Sequence, residues 1–413
     1  MAPELLAPVG NFESLQAAID AGADSVYLGC QELNMRTLGS SNFSFEELKE
    51  AVIRAHAKKV RVYLTVNSII YPNEDSLLDK TLQAAKDTGV DAIIAWDLMV
   101  LQKAKALGLE LHLSTQASVA NFEALKFYYD FGIKRFVLAR ELDLEQIKKI
   151  IAQIKKEKLD AEIECFIHGA MCIAVSGRCF MSQITCDKSA NRGECIQVCR
   201  RKYKITDVEE DVELELDNQY VMSPKDMCTM PIIEQIIDSG ISVFKIEGRA
   251  RSPEYVKGVV EAYREAIDLH IAKKLTEKKK KELITKMERV YNRGFETGFY
   301  MGKPIHAWAG VYGSKATTRK MLLGKISNYY SKSGVAEVKI ESNSIAKGDV
   351  FYVMGPTTGV IEGQMPEMVL NDKFVSVVKK GDLITFKVPK CRMNDKFYKV
   401  VEVKGNEDLV QNH

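Results

Sequence analysis

The chain is 413 residues long, which at about 150 residues per domain predicts two or three domains. Hydrophobic residues make up 46% and charged residues 28%, the balance of a folded globular protein, and this excludes a disordered or fibrous chain. The 58 Lys and Arg against 56 Asp and Glu leave a net charge of +2, which excludes an electrostatically driven, histone-like nucleic-acid binder but not a local basic patch.

The first residues, Met1-Ala2-Pro3-Glu4-Leu5-Leu6, place no basic region ahead of a long apolar run, so no secretion signal is expected. No apolar stretch approaches the ~18 residues that span a bilayer. A cytoplasmic protein without membrane contact is expected.

From the amino terminus, short β-branched runs alternate with amphipathic helical segments. Strands are predicted at 4–8, 25–29, 60–67, 92–97, 109–115, 135–140, 161–168 and 242–247. Helices such as 12–21, 45–58 and 144–156 carry apolar residues at three- and four-residue spacing. Asn11, Ser44, Asn121 and Asp143 are placed to cap helices, and Gly22, Gly89, Gly108, Gly132 and Gly240 to end them. Eight β-then-α units favour a TIM-like (β/α)8 barrel over an open doubly wound sheet, and no G-x-G-x-x-G follows the first strand to support the latter. The seventh strand is followed not by a simple helix but by a Cys-rich insertion at 170–230. The barrel domain is assigned to 1–272. A charged, helical connector follows at 273–316, its Lys-rich run read as a solvated helix face. Turn signals at Gly348-Asp349 and Gly381-Asp382 then mark a small all-β barrel domain over 317–413, with strands at 335–340, 350–353, 374–378 and 383–388.

Six of the nine cysteines fall between Cys165 and Cys199, in a segment rich in Gly, Ser, Asn and Arg. Cys30 and Cys165 read as small buried hydrophobes. The rest suit metal binding or redox chemistry better than a disulfide framework. No C-x-x-C, H-E-x-x-H or G-x-S-x-G occurs, so zinc-ribbon, zincin and hydrolase-elbow chemistry has no motif to rest on. Spread thiolates can still hold one iron–sulfur cluster or a zinc ion if the fold gathers them.

Chemistry in a parallel barrel sits at the carboxyl ends of the strands. The polar residues there are Gly10 and Asn11, Asn67, Asp97, Ser114 and Gln116, Arg140 and Glu141, His168, and Lys245, Glu247 and Arg249. Asn11 and Ser114 read equally well as helix caps alone, and Arg140 with Glu141 as a loop ion pair. Of the others, His168, Glu247 and Arg249 are assigned to catalysis, and Asn67, Gln116, Arg140 and Lys245 to substrate binding. Arg140, Lys245 and Arg249 together suit an anionic small molecule, because guanidinium grips carboxylate with two parallel bonds. Arg192, Arg200, Arg201 and Lys202 form a basic stretch suited to RNA, with Lys204 beside them and Tyr203 available for stacking; an ordinary solvated loop is the competing reading.

One family resemblance enters at the insertion. Glu164-Cys165-Phe166-Ile167-His168-Gly169-Ala170-Met171-Cys172, Ser176-Gly177-Arg178-Cys179-Phe180-Met181-Ser182 and Asn191-Arg192-Gly193-Glu194-Cys195-Ile196-Gln197-Val198-Cys199-Arg200 resemble the signature of the peptidase U32 family. Ala7-Pro8-Val9-Gly10, Ser223-Pro224-Lys225-Asp226-Met227-Cys228, Lys245-Ile246-Glu247-Gly248-Arg249 and Asn292-Arg293-Gly294-Phe295 match it in order. Val198 and Arg201 depart from the residues common in the pattern. That family was named for collagenase-like proteolysis, and members act in oxygen-independent hydroxylation of tRNA, rRNA or ubiquinone precursors. Length and the carboxy-terminal domain look most like the tRNA hydroxylation branch. The resemblance therefore implies formation of 5-hydroxyuridine at the wobble position, tRNA as partner, prephenate or a similar anion as hydroxyl source, and a possible paralogous subunit. It also implies a 4Fe–4S cluster, with zinc as the alternative, on Cys172, Cys179, Cys195 and Cys228; Cys199 rivals Cys195. The competing expectation is a protease, for which Cys172 and His168 would be the first pair to inspect.

Overall fold

The structure is a computed structural model that describes residues 2–204, 220–304, 307–311 and 313–403. Strands and helices alternate from the start: β1 (Glu4–Pro8), α1 (Phe12–Asp20), β2 (Ser25–Gly29), α2 (Phe45–His56), β3 (Arg61–Thr65), α3 (Asp75–Thr88), β4 (Ala92–Ala95), α4 (Leu98–Ala106), β5 (Leu111–Leu113), α5 (Phe122–Phe131), β6 (Arg135–Val137), α6 (Leu144–Lys156) and β7 (Glu162–Gly169). The insertion contributes α7 (Met181–Cys186) and a short β8 (Asp226–Cys228). Then come α8 (Ile233–Asp238), β9 (Val243–Ile246), α9 (Pro253–Ile271), α10 (Glu277–Glu288) and β10 (Phe295–Glu296).

Strands β1 to β7 and β9 are parallel, and the ring closes where β9 pairs with both β1 and β7. All eight strands expected from the sequence are these eight. β8 runs antiparallel to β7, with His168 opposite Cys228, and β10 pairs with β8 outside the ring. The helices pack apolar stripes on the outer wall. α6 shows the pattern plainly: a capping box between Asp143 and Gln146 starts it, and Leu144, Ile147, Ile150, Ile151 and Ile154 form its buried face. α10 lies along α9 with Leu283 and Met287 in the barrel core. Its Lys280 is buried rather than solvated, held by Glu234 and Glu277.

Alternation along each strand sends every second side chain into the lumen. At the floor this brings charge inside. Arg135 donates to Glu4 through two bonds of 3.1 and 2.9 Å and to Glu162 at 2.7 Å. Ser25 and Tyr63 also donate to Glu4. Burial pushes the Glu4 carboxyl up, but Arg135, Ser25 and Arg61 together hold it below its ordinary range.

Ten strands form the carboxy-terminal domain among the described residues: β11 (Thr318–Tyr330), β12 (Val335–Ile340), β13 (Ser344–Ala346), β14 (Val350–Gly355), β15 (Gly359–Gln364), β16 (Met368–Leu370), β17 (Lys373–Val375), β18 (Val377–Lys379), β19 (Leu383–Lys387) and β20 (Lys396–Glu402). Its main sheet is antiparallel, in the order β15-β14-β20-β11-β12-β19-β16-β17, around a core that includes Phe351, Phe386 and Phe397. The single strand expected at 374–378 is two strands in two sheets. The domain docks on the barrel through Tyr352, Met354, Val360 and Val400 against Ala17 of α1. Gly359 has φ +64°, and a Cβ there would lie 3.1 Å from the Ala17 backbone nitrogen, so the close approach requires glycine. Lys320 to Glu254 and Arg289 to Glu362, each 2.8 Å, rim the contact. No helix among the described residues is long and apolar enough to cross a membrane.

Removing one partner of a buried ion pair leaves the other charge uncompensated. Arg135→Met should therefore destabilise the protein by about 3–5 kcal/mol in urea denaturation, and adding Glu4→Gln should recover part of the loss. An unchanged midpoint for the single variant would contradict the buried pairing.

Candidate functional site

The carboxyl ends of the barrel strands enclose a cavity of about 170 Å³. Its floor is built by Tyr27 of β2, Phe166 of β7 and Lys245 of β9. Arg36, Arg140, Glu247 and Arg249 form its charged walls, and Asn67, Ser114 and Gln116 the polar side. The insertion roofs it with residues around Met171-Cys172, Ser176-Gly177 and Gly193 to Arg200.

Each wall cation is held differently. Arg249 is buried and donates to Thr65 Oγ1 at 2.7 Å and to Asn34 Oδ1 at 3.1 Å; burial lowers it to about 10, still charged near neutrality. Arg36 pairs with Glu247 at 2.7 Å. Burial pushes Glu247 up, yet Arg36 and Arg251 outweigh it and keep the carboxylate ionised. Lys245 Nζ lies 2.7 Å from Glu164 Oε1, with both groups buried, and burial lowers the ammonium against the pull of Glu164. Arg140 donates through Nη1 to the Ala170 carbonyl at 3.0 Å and rests on the Phe166 ring. Its Nε and Nη2 are buried and have no hydrogen-bond partner among the described residues. Two free guanidinium N–H groups in a cavity form a ready fork for a carboxylate.

Asn67 and Gln116 face the cavity but are already engaged. Asn67 Oδ1 accepts from the Met35 backbone at 3.2 Å. Gln116 accepts from Ser114 Oγ at 2.5 Å and donates to the Ser176 carbonyl at 3.3 Å. Their first effect is to hold loops, as is that of Asn11 and Asp97, which cap α1 and α4.

Cationic anchors seat the insertion. Arg192 forks onto Glu74 and lies over Tyr71, Arg178 lies over Trp96, and Arg200 donates to the carbonyls of Met171 and Pro224. Arg192 and Arg200 are thus spent on structure, and only Arg201 and Lys202 of the four expected RNA contacts stand exposed. Gly193 has φ +83°, and a Cβ there would lie 2.2 Å from the Asn34 carbonyl, so the roof meets the β2–α2 loop backbone to backbone.

The thiols divide into two groups. Cys172, Cys195 and Cys199 line the cavity roof, and Cys179 lies close enough to act electrostatically on Cys199 along with them. Burial, followed by these neighbouring thiols, raises Cys199 against the pull of Arg200. Cys228, expected as the fourth ligand, lies apart. It is buried in the hydrophobic core, 3.7 Å from the Tyr263 hydroxyl, and burial pushes its thiol up to about 11. Among the described residues no three His, Cys, Asp or Glu side chains are grouped tightly enough to hold a metal ion as they stand. The chemistry of the donor set nevertheless fits a thiolate-ligated metal: Cys172, Cys195 and Cys199 are free thiols on one roof, and Cys179 is a free thiol near Cys199.

His168 is not in the cavity. Glu164 and Phe166 point inward and Cys165 and Ile167 outward, so strict alternation would turn His168 inward. A register shift between Phe166 and His168 opposite β9 breaks the alternation, and His168 takes the outward side with Ile246. It packs against Tyr255, Tyr263 and Phe295, with Nδ1 3.3 Å from the Tyr263 hydroxyl. The residues that sequence reasoning missed are Asn34 and Arg36, on the loop after β2, and Tyr27 and Thr65 within strands.

Burial pushes His168 down to about 3, against about 6.5 unfolded. Its neutral form is favoured by folding, so this stability is fully present above pH 6.5 and is lost as pH falls toward 3. Wild-type stability should fall by up to ~1.4 kcal/mol per pH unit more steeply than that of His168→Phe between pH 6 and 4. Equal slopes in denaturation series would place His168 in contact with water.

Peptidase family U32 matches residues 10–309 of the chain. A collagenase of Porphyromonas gingivalis strain W83 is 43% identical over 93% of this chain and 94% of its own. An uncharacterized protease of Methanocaldococcus jannaschii is 40% identical over 93% of this chain and 95% of its own. The tRNA hydroxylation protein P1 of Bacillus subtilis is 37% identical over 86% of this chain and 84% of its own. With the family's match covering more than half of the sequence, and with relatives this similar along nearly its whole length, the chain belongs to peptidase family U32.

Proposed function

We propose that this chain is an RNA-modifying enzyme that hydroxylates the wobble uridine of tRNA without oxygen, giving 5-hydroxyuridine. The hydroxyl source is an anionic small molecule of the prephenate type bound in the barrel cavity. The observation that carries this reading is the unfilled N–H fork of Arg140 in a cavity walled by two further arginines and roofed by thiols. The relative named tRNA hydroxylation protein P1 supports the RNA substrate.

Cys172, Cys179, Cys195 and Cys199 would hold a 4Fe–4S cluster, with zinc the other metal such thiolates suit. Cys199 replaces Cys228 in this set because of where the two thiols lie. A bound cluster would supply one-electron redox chemistry next to the cavity. The chain's own residues bind and orient: Arg140 grips a carboxylate, Arg249 and Arg36 fix the wall potential, and the roof narrows the mouth.

The RNA-facing surface is the insertion. Residues 170–204 hold seven Lys and Arg against two Asp and Glu, although the whole chain is nearly neutral. Arg201 and Lys202 are exposed, and Phe180 is 69% and Ile184 81% exposed on the same segment. An exposed ring beside cations suits a stacked base and neighbouring phosphates.

The relatives named collagenase and protease favour a second reading, peptide cleavage. Its Cys172–His168 pair finds no support in a His168 enclosed by Tyr255, Tyr263 and Phe295.

Nucleoside mass spectrometry of tRNA from cells grown without oxygen tests the main reading. Deleting the gene should remove 5-hydroxyuridine and its derivatives, and Arg140→Ala should not restore them. Unchanged tRNA together with peptide cleavage by the purified protein would overturn it. Protein purified anaerobically should be brown. Serine at position 172, 179, 195 or 199 should each lower its iron content, whereas Cys228→Ser should keep it. A colourless protein with stoichiometric zinc would rule out the cluster.

A further inference from the structure

We infer that Lys245 is a nucleophile that forms an imine with a 2-oxo acid in the barrel cavity, with Glu164 handling the protons. This rests on the reading of the cavity as an anion pocket and is independent of the RNA substrate.

Lys245 is 4% and Glu164 0% exposed, and their 2.7 Å pairing lies at the cavity floor that Lys245 lines. Glu164 Oε2 has no hydrogen-bond partner among the described residues, so one carboxylate oxygen is open to a proton. A buried ion pair gains little stability over packed apolar residues of the same size, so structure alone gives this pair little reason to exist. The amine is near a binding group. Lys245 Nζ sits 5.5 Å from the centre of the Phe166 ring, and the Arg140 guanidinium sits 4.5 Å from the same centre. The Tyr27 ring, 4.5 Å from Nζ, closes the other side. Arg140 and Lys245 line the same cavity, so an acid whose carboxylate sits on the Arg140 fork can present its carbonyl carbon to the space that Lys245 borders. Carboxylate and carbonyl on neighbouring carbons define a 2-oxo acid.

The proton accounting closes within the pair. Glu164 takes a proton from the ammonium and leaves a neutral amine. The amine attacks the carbonyl carbon, a C–N bond forms, the C=O π bond breaks, and the oxygen takes the proton back from Glu164. Glu164 then removes a proton from nitrogen and passes it to the hydroxyl, which leaves as water. The product is a protonated imine facing an ionised Glu164. One ammonium and one ketone give one iminium and one water, with no electron transfer. Lysines whose ammonium is destabilised by burial are suited to this role.

Pyruvate with sodium cyanoborohydride, added to the anaerobically purified full-length protein, tests the inference. One reduced adduct should form and map to the peptide containing Lys245. Glu164→Gln should slow labelling at least tenfold, Lys245→Arg should abolish it, and lactate, which has the carboxylate but no carbonyl, should compete. Mapping in the wild-type protein decides the matter even if the Lys245 variant fails to fold. Saturable pyruvate binding in equilibrium dialysis without a Lys245 adduct would overturn the imine and leave the anion pocket standing. No saturable binding would remove both, and label scattered over surface lysines would also count against the imine.

Discussion

Charges inside the barrel constrain everything above them. Glu4 with Arg135 occupies the floor, and Glu164 with Lys245 the layer over it. Ionised groups survive in a lumen only where each is paired and water is kept out or held in fixed places. The pairs therefore rest on an apolar outer wall, where the helices pack Leu, Ile and Val against the strands. The wall supplies rigidity, and the lumen can then carry a potential that attracts anions without the fold depending on the ligand.

The insertion has to close this mouth without a core of its own. Its apolar residues Ile173, Val175, Phe180 and Ile184 stand largely exposed. Guanidinium groups hold it instead: Arg192 meets a carboxylate and Arg178 a ring on the barrel loops, and Arg200 ties backbone carbonyls at the two ends of the insertion together. Such contacts fix geometry well, because a planar fork loses little freedom when it binds. They also use up basic residues that a linear reading of the sequence assigns to RNA. Arg192 and Arg200 look like Arg201 in the sequence and do different work.

The barrel was legible because its signals are local. Alternating hydrophobicity, helix caps and terminal glycines mark each unit, and all eight strands follow from them. The anion wall was half legible. Arg140, Lys245, Glu247 and Arg249 sit at or just beyond strand ends, where parallel barrels keep their chemistry. Arg36 and Asn34 sit in the middle of a loop after β2, and no period or cap marks them. Cys228, implied as a ligand by the family resemblance, lies in the barrel core, a position that sequence spacing does not reveal. In the carboxy-terminal domain β11 escaped notice for a related reason. Its 13 residues carry two bulges, at Leu322/Gly324 and Ile326/Asn328, that break the alternation a strand is recognised by.

The register shift in β7 explains both the outward position of His168 and the form of the site. It lets Phe166 remain the last inward side chain of its strand and sends His168 to the outer wall against α9. Gly169 follows with φ +105°, and a Cβ there would lie 2.4 Å from the Glu247 carbonyl. The chain can then leave β7 close beside β9 and cross the mouth instead of turning straight into a helix. β8 brings it back, pairing Cys228 with His168 at the same point. One irregular step thus leaves Phe166 against both Arg140 and Lys245, starts the roof over them, and anchors the return of the roof. A histidine placed there serves as packing, and its imidazole must stay neutral for the joint to hold.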